Sequence, residues 1–136
     1  MKRFLSISVL SLTIIWPFQA VAYDEAQLTR FKAIKKCRSC DLSSANLSGW
    51  SLFQADLRGA NLHDANLKGA SIRAADLTNT DLTDANLERA VFGGLGIETD
   101  LSNADLTGAN IEGADFQYAI FCNTKTPWGL ENIGCK

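Results

Sequence analysis

A bulky apolar residue recurs every five positions, at Leu42, Leu47, Leu52, Leu57, Leu62, Leu67, Ile72, Leu77, Leu82, Leu87, Phe92 and Ile97, then at Leu101, Leu106, Ile111, Phe116 and Phe121. A small residue usually stands two places earlier and Asp or Asn between them, as in Ala65-Asn66-Leu67-Lys68-Gly69. Five residues of α-helix rotate a side chain by about 500°, leaving successive Leu about 140° apart, so no single helical face can bury them. In a flat strand an odd period sends alternate Leu to opposite faces. The pattern is satisfied when the chain bends once per pentad in one sense, with each Leu and its preceding Ala pointing to a shared interior. Four bends close a square, and stacked squares pair backbone with backbone at roughly 4.7–4.9 Å.

These A(D/N)LXX units resemble the pentapeptide-repeat family over about residues 41–121. The resemblance implies an all-β solenoid, a right-handed quadrilateral β-helix of about four coils with Leu central and Ala inward beside it. It implies a scaffold and names no reaction, since a repeat identifies an architecture and not a site.

Outside the repeat, Met1-Lys2-Arg3, an apolar run to about Phe18 and Ala20-Val21-Ala22 describe a secretory signal peptide, residues 1–22, cut between Ala22 and Tyr23. The expected product is exported, with no stable membrane insertion after cleavage, in the periplasm, the thylakoid lumen or the medium. The 13 basic residues then fall to eleven against 15 acidic ones. No basic face stands out, which argues against a nucleic-acid partner. Residues 23–40 are expected to form a helical cap, with Leu28, Phe31 and Ile34 at helical spacing over the first coil.

Four cysteines flank the repeat as two local pairs, Cys37 with Cys40 and Cys122 with Cys135. Export makes disulfides the default. Four cysteines permit three connectivities, and a separation of roughly 20 Å between the ends over about four coils favours the local one. The same separation excludes a shared Cys₄ zinc site. A thioredoxin-like role needs its cysteine at a helix N-terminus, whereas this pair follows a helix. A redox-responsive Cys37–Cys40 pair remains open. Residues 122–136 are expected to close the far end, and the phrase Phe121-Cys122-Asn123-Thr124 resembles the tails of exported and thylakoid-lumen pentapeptide proteins.

Outward acidic positions are expected to stack in columns, Asp41, Asn61, Asp81 and Asp100 in one, Asp56, Asp76 and Asp115 in another. Such columns suit calcium or DNA mimicry, as in gyrase-binding relatives, but Asp and Asn also bond locally to turn backbone, which one bend per pentad requires. His63 points outward with no Ser or Cys placed beside it as a nucleophile. No catalytic group, metal site or cofactor is expected.

Two departures mark the candidate interaction surface. Trp50 stands where neighbouring coils carry Ala70, Ala90 and Ala109, too large to turn inward, and is expected against the helix with Phe53 nearby outside. Between Phe92 and Leu101 the spacing shortens by one residue and Gly93, Gly94 and Gly96 enter around Leu95, a register break over residues 93–100 that suits either a binding loop or a repair of the wall. The sequence therefore reads as a non-enzymatic exported scaffold for an unidentified protein partner, with control through a Cys37–Cys40 disulfide as the alternative.

Overall fold

The computed structural model describes residues 24–94 and 96–135. The expected leader with its Ala22–Tyr23 cleavage point, and Leu95, lie outside the described residues. Among the described residues one helix, α1 (Glu25–Ile34), precedes the repeat, and three short strands follow its first half, β1 (Thr99–Asp100), β2 (Ala119–Thr126) and β3 (Gly129–Ile133). Strand β1 runs parallel to β2, and β2 pairs antiparallel with β3.

Helix α1 covers only part of residues 23–40, the stretch expected to form the helical cap. Asp24 caps it by accepting the Ala26 and Gln27 N–H groups, and Lys35 ends it in the left-handed conformation at φ 52°. The Gln27 side chain, followed by the two backbone donors, holds the Asp24 carboxyl below its ordinary range. Phe31 is 1 % exposed and joins the main core, with Leu28 packed partly against it.

From Lys36 onward the chain returns to the same place every twenty residues. Parallel bridges form four ladders, which begin Lys36–Asp56–Asp76, Asp41–Asn61–Asp81, Asn46–Asn66–Asn86 and Ser51–Ser71–Val91. Within one ladder, Leu62 donates to the Asp81 carbonyl at 2.7 Å while Asn61 donates to the Cys40 carbonyl at 2.9 Å, so the backbone between pentads is satisfied from the neighbouring layers. Each corner is a tight turn. Ala65 N–H meets the Leu62 carbonyl at 3.0 Å and Asp64 between them sits at φ 58°, with the same left-handed residue at Ala74 and Arg89.

The Asp and Asn side chains serve these turns. Asn61, Asp81, Asp100 and Asp105 each accept, through Oδ1, the N–H two residues on, at 2.8–3.0 Å. Inside, the Leu from Leu42 to Leu87 are buried, and the interior ends in an aromatic stack: Phe92 lies 4.5 Å from Phe116, which meets Phe121 edge-on at 5.4 Å.

The structure corrects the register break. Bridges that span twenty residues lengthen to twenty-four at Asp76–Asp100, Asp81–Asp105, Asn86–Asn110 and Val91–Asp115, so four residues are inserted and none is lost. Ile97 is 39 % exposed and is not an interior residue. A pentad centred on Ile97 would put Leu95 where most pentads place Ala or Thr. Thr99 fills that small slot instead, fully buried, donating its hydroxyl to the carbonyls of Ile72, at 3.1 Å, and Phe92. The columns shift accordingly. Asp100 stands on Asp76, Asp115 stands on Val91 and not on Asp76, and the Trp50 column runs through Ala70, Ala90 and Ala114 in place of Ala109.

The ladders also extend beyond 41–121 at both ends. Cys37 and Cys40 occupy the Leu and Ala slots of the first layer, and Lys125 pairs with Asp105. Cys37 is bridged to Cys40 and Cys122 to Cys135, with Cα atoms 5.4 and 4.9 Å apart.

Lys125 reaches Asp105 at 2.8 Å. The Lys125 ammonium, then the Thr107 hydroxyl, hold the Asp105 carboxyl below its ordinary value. A lowered folded pKa contributes stability above the unfolded carboxylate value, and that contribution is lost as pH falls through the folded one. Lys125→Met is therefore expected to lower the melting temperature at pH 7 and to leave it unchanged near pH 2, with the neutral-pH difference shrinking in salt; an equal drop at both pH values would contradict this assignment.

Candidate functional site

Two features that are forty residues apart in the chain share one wall. The ladder Ser51–Ser71–Val91–Asp115 places Phe53, Arg73, Gly93 and Gln117 in a single outward column, each following the interior residue of its layer. Phe53 is 38 % exposed, and Gln117 is exposed at the other end. Between them Arg73 donates Nε to the Gly93 carbonyl at 2.8 Å, so one guanidinium holds the start of the inserted segment against the wall.

The candidate residues are not equally available. Trp50 is half-buried against the core, with the Lys32 ammonium 5.5 Å from its ring centroid, so it joins α1 to the first layer. Gly93 is buried: a Cβ there would lie 1.5 Å from the Gln117 carbonyl oxygen. Gly94 is half-buried beside Arg73, and Gly96 is exposed at φ 68°. The accessible part of the predicted surface is therefore Phe53 and the outer insertion at Gly96 and Ile97. Arg73 is the functional neighbour that the sequence reading passed over, although twenty-residue spacing from Phe53 and to Gly93 points to it. Gln117 was hidden by the four-residue shift.

His63 is more engaged than its outward position predicts. Its Nδ1 lies 2.9 Å from the Thr83 hydroxyl and 3.1 Å from the Thr83 carbonyl, one layer on. The Thr83 hydroxyl itself donates to Asp81 at 2.7 Å. Its proton is thus committed to a carboxylate, and the hydroxyl accepts from the imidazole; this is the reverse of the polarity a nucleophile and base require. Among the described residues no cluster of three or more His, Cys, Asp or Glu is arranged to hold a metal ion. No described helix is long and apolar enough to cross a membrane.

A concavity lies where α1 meets the first layer. Gln27, Arg30 and Ile34 of α1 face Lys36, Cys37, Arg38, Ser39 and Cys40 across a cleft of about 550 Å³. Arg38 binds Asp56 at 2.6 Å, and Arg58 binds the same carboxylate at 2.9 Å.

A family model for pentapeptide repeats matches residues 36–78, 70–94 and 97–125, the one gap between them falling at the insertion. Among solved structures, a pentapeptide repeat protein from Nostoc PCC 7120 is 33 % identical, the match covering 65 % of this chain and 71 % of that one at a TM-score of 0.58. A pentapeptide repeat protein from the thylakoid lumen of Arabidopsis thaliana is 29 % identical over 64 % of this chain and 66 % of its own length, at a TM-score of 0.43. HetL, a pentapeptide repeat protein involved in heterocyst differentiation regulation in Nostoc sp. strain PCC 7120, is 28 % identical over 69 % of this chain and 54 % of its own, at a TM-score of 0.22. Among curated proteins no significant sequence match is found.

Proposed function

This chain belongs to the pentapeptide-repeat family, and from that premise we propose that it is an exported, non-enzymatic scaffold that engages a protein partner through the wall of Phe53, Arg73 and the inserted segment. The observation that carries this reading is the convergence of an exposed aromatic, an arginine clamp and the insertion on one ladder. The interior is filled by Leu and Phe side chains, so a ligand is recognised on the outer surface and not inside the coil. Flat walls fit macromolecular partners better than small substrates.

The proposed frame is a right-handed four-sided β-helix of about four coils, capped by α1 at one end and by the β2–β3 hairpin at the other. The twenty-residue bridge spacing and the packing of Phe31 support it. Two disulfides and the leader-like residues 1–22 support export. The partial exposure of Cys40 in the cleft keeps a second reading, reduction of Cys37–Cys40 loosening the first layer; a potential below about −300 mV for this pair would remove it.

Phe53→Asp combined with Gln117→Lys changes two exposed side chains of the wall and leaves Arg73 in place. The double variant is expected to keep its melting temperature and lose partner capture. Retained capture would overturn the assignment of this wall.

A further inference from the structure

Half of the basic side chains among the described residues crowd one end of the molecule. Arg30, Lys32, Lys35, Lys36 and Arg38 fall within residues 30–38, where no acidic residue intervenes, while the chain as a whole carries a net charge of −2. Arg30 and Lys36 line the cleft of about 550 Å³, and among the described residues neither forms an ion pair. Arg38 is tied to Asp56 through Nε, and its side chain remains 63 % exposed.

The cleft has a built shape. Gln27, Arg30 and Ile34 stand at helical spacing i, i+3, i+7 and present one stripe of α1 to it. Gln27 is fixed in place, accepting the Asp41 N–H at 3.0 Å through Oε1 and donating Nε2 to Asp24 at 3.0 Å. Ile34, 49 % exposed, and the Cys37–Cys40 bridge supply an apolar side. A shallower depression of about 360 Å³, lined by Arg38, Ser39, Arg58, Gly59 and Asn79, continues from it and shares Arg38 and Ser39. The two adjoin at Arg38 and Ser39 and together make a track lined by cations.

We propose that this track is a binding site for a short extended acidic peptide segment, Asp- or Glu-rich with an apolar residue among the carboxylates. The inference rests on the scaffold reading and names the chemistry of a partner that this end of the scaffold takes. Carboxylates meet Arg30, Lys36 and the free edge of Arg38, and the apolar residue lies on Ile34 and the disulfide. Cations in both depressions, Arg30 and Lys36 in one, Arg58 in the other and Arg38 in both, fit an extended chain better than a compact anion. A membrane surface is flat and reads a convex basic face, whereas these cations line a concavity. A long polyanion would run on from Arg58 over Asp76, which already takes Arg58 at 3.2 Å, and along walls of the same sign as itself.

The test uses the purified full chain and a fluorescein-labelled peptide Glu-Asp-Leu-Glu-Glu-Asp, read by anisotropy, beside its Gln/Asn analogue and vesicles containing phosphatidylglycerol. The acidic peptide is expected to bind, to weaken as salt rises from about 0.05 M to about 0.3 M, and to lose about tenfold or more in Arg30→Glu with Lys36→Glu. Lys68→Glu with Arg89→Glu, on a different wall, is expected to bind like the parent. Equal binding of the amide analogue, an unaffected Arg30/Lys36 variant, an equal loss in the Lys68/Arg89 variant, or vesicle binding without peptide binding would each overturn the proposal. Circular dichroism of the Arg30/Lys36 variant checks that α1 persists, and Arg30→Gln with Lys36→Gln, expected to weaken binding less, replaces it if it does not. Peptide binding that fails while capture at the Phe53 wall persists removes this site and leaves the scaffold; the opposite result removes that wall and leaves this site.

Discussion

Phe92→Ala is expected to lower the unfolding free energy by about 3–5 kcal/mol, the largest effect of any single truncation in the core. Phe92 is fully buried at the layer where the insertion begins, and it carries the aromatic stack through Phe116 toward Phe121. Three features make the cavity hard to collapse. The layer below is held by the Phe92 N–H on the Asp115 carbonyl at 2.7 Å, the Thr99 hydroxyl is bonded to the Phe92 carbonyl, and Arg73 clamps the neighbouring Gly93. The surrounding backbone is thus pinned on both sides and cannot close over the gap. Phe116→Ala, at a half-buried position, is expected to cost less. Urea unfolding of both variants measures the difference; a Phe92→Ala loss below about 1 kcal/mol would mean the stack does not organise this end of the core.

The second large effect is Gly93→Ala. An added methyl would lie 1.5 Å from the Gln117 carbonyl oxygen and 2.5 Å from its carbon, both backbone atoms of the following layer. A flexible side chain could step aside, but backbone held two residues away by the Phe92 N–H on the Asp115 carbonyl cannot, so Val91–Asp115 must open or the insertion must lift off the wall. The expected cost is about 3 kcal/mol, at the upper end of overpacking effects. Gly49→Ala is the contrasting case, left-handed but with open space around it. It has φ 68° and nothing within 4 Å of an added methyl, and Ala74 already holds nearly the same conformation at φ 59°. Its expected cost is about 1 kcal/mol. Gly93 itself lies outside the left-handed region, so a loss there no larger than that at Gly49 would contradict the close approach to Gln117 as the reason a glycine stands at 93.

Most of the layered architecture is legible in the Leu spacing, because a period of five suits neither helix nor flat strand. The ladders Asp41–Asn61–Asp81 and Asn46–Asn66–Asn86 follow directly from it. The ends of the repeat were less legible, since polar or reactive residues fill apolar slots there. Cys37 and Cys40 stand for Leu and Ala in the first layer. In the last layer Thr124 stands in the Ala slot and Thr126 in the Leu slot, where their hydroxyls donate to the Leu101 and Gly129 carbonyls at 2.7 Å and hide the pattern from a hydrophobicity reading. Ile97 misled in the opposite sense, an apolar residue at the right spacing but on the outside. Its neighbour Thr99 is what the interior selects, because its carbonyl partners become visible only once Ile72 and Phe92 are in place. For the same reason Trp50 and Phe53, adjacent in the sequence reading, separate in function. One is covered by α1 and Lys32, and the other faces out beside Arg73.

The candidate wall was legible only in parts. Phe53 and the glycines were visible as departures from the repeat, whereas their joining through Arg73 depends on layer arithmetic that the insertion disturbs past residue 94. The cleft at Arg30, Lys36 and Arg38 depends on the angle at which α1 meets the first layer, which no periodicity encodes.

Site-specific photo-cross-linking in the native host tests the scaffold reading most directly. A photoreactive residue placed at Phe53, and separately at Glu88 on the neighbouring wall, would be irradiated in cells. The account predicts one discrete adduct band from position 53, absent from position 88 and lost when Gln117→Lys is added. The same adducts from both positions, or none from position 53, would contradict it.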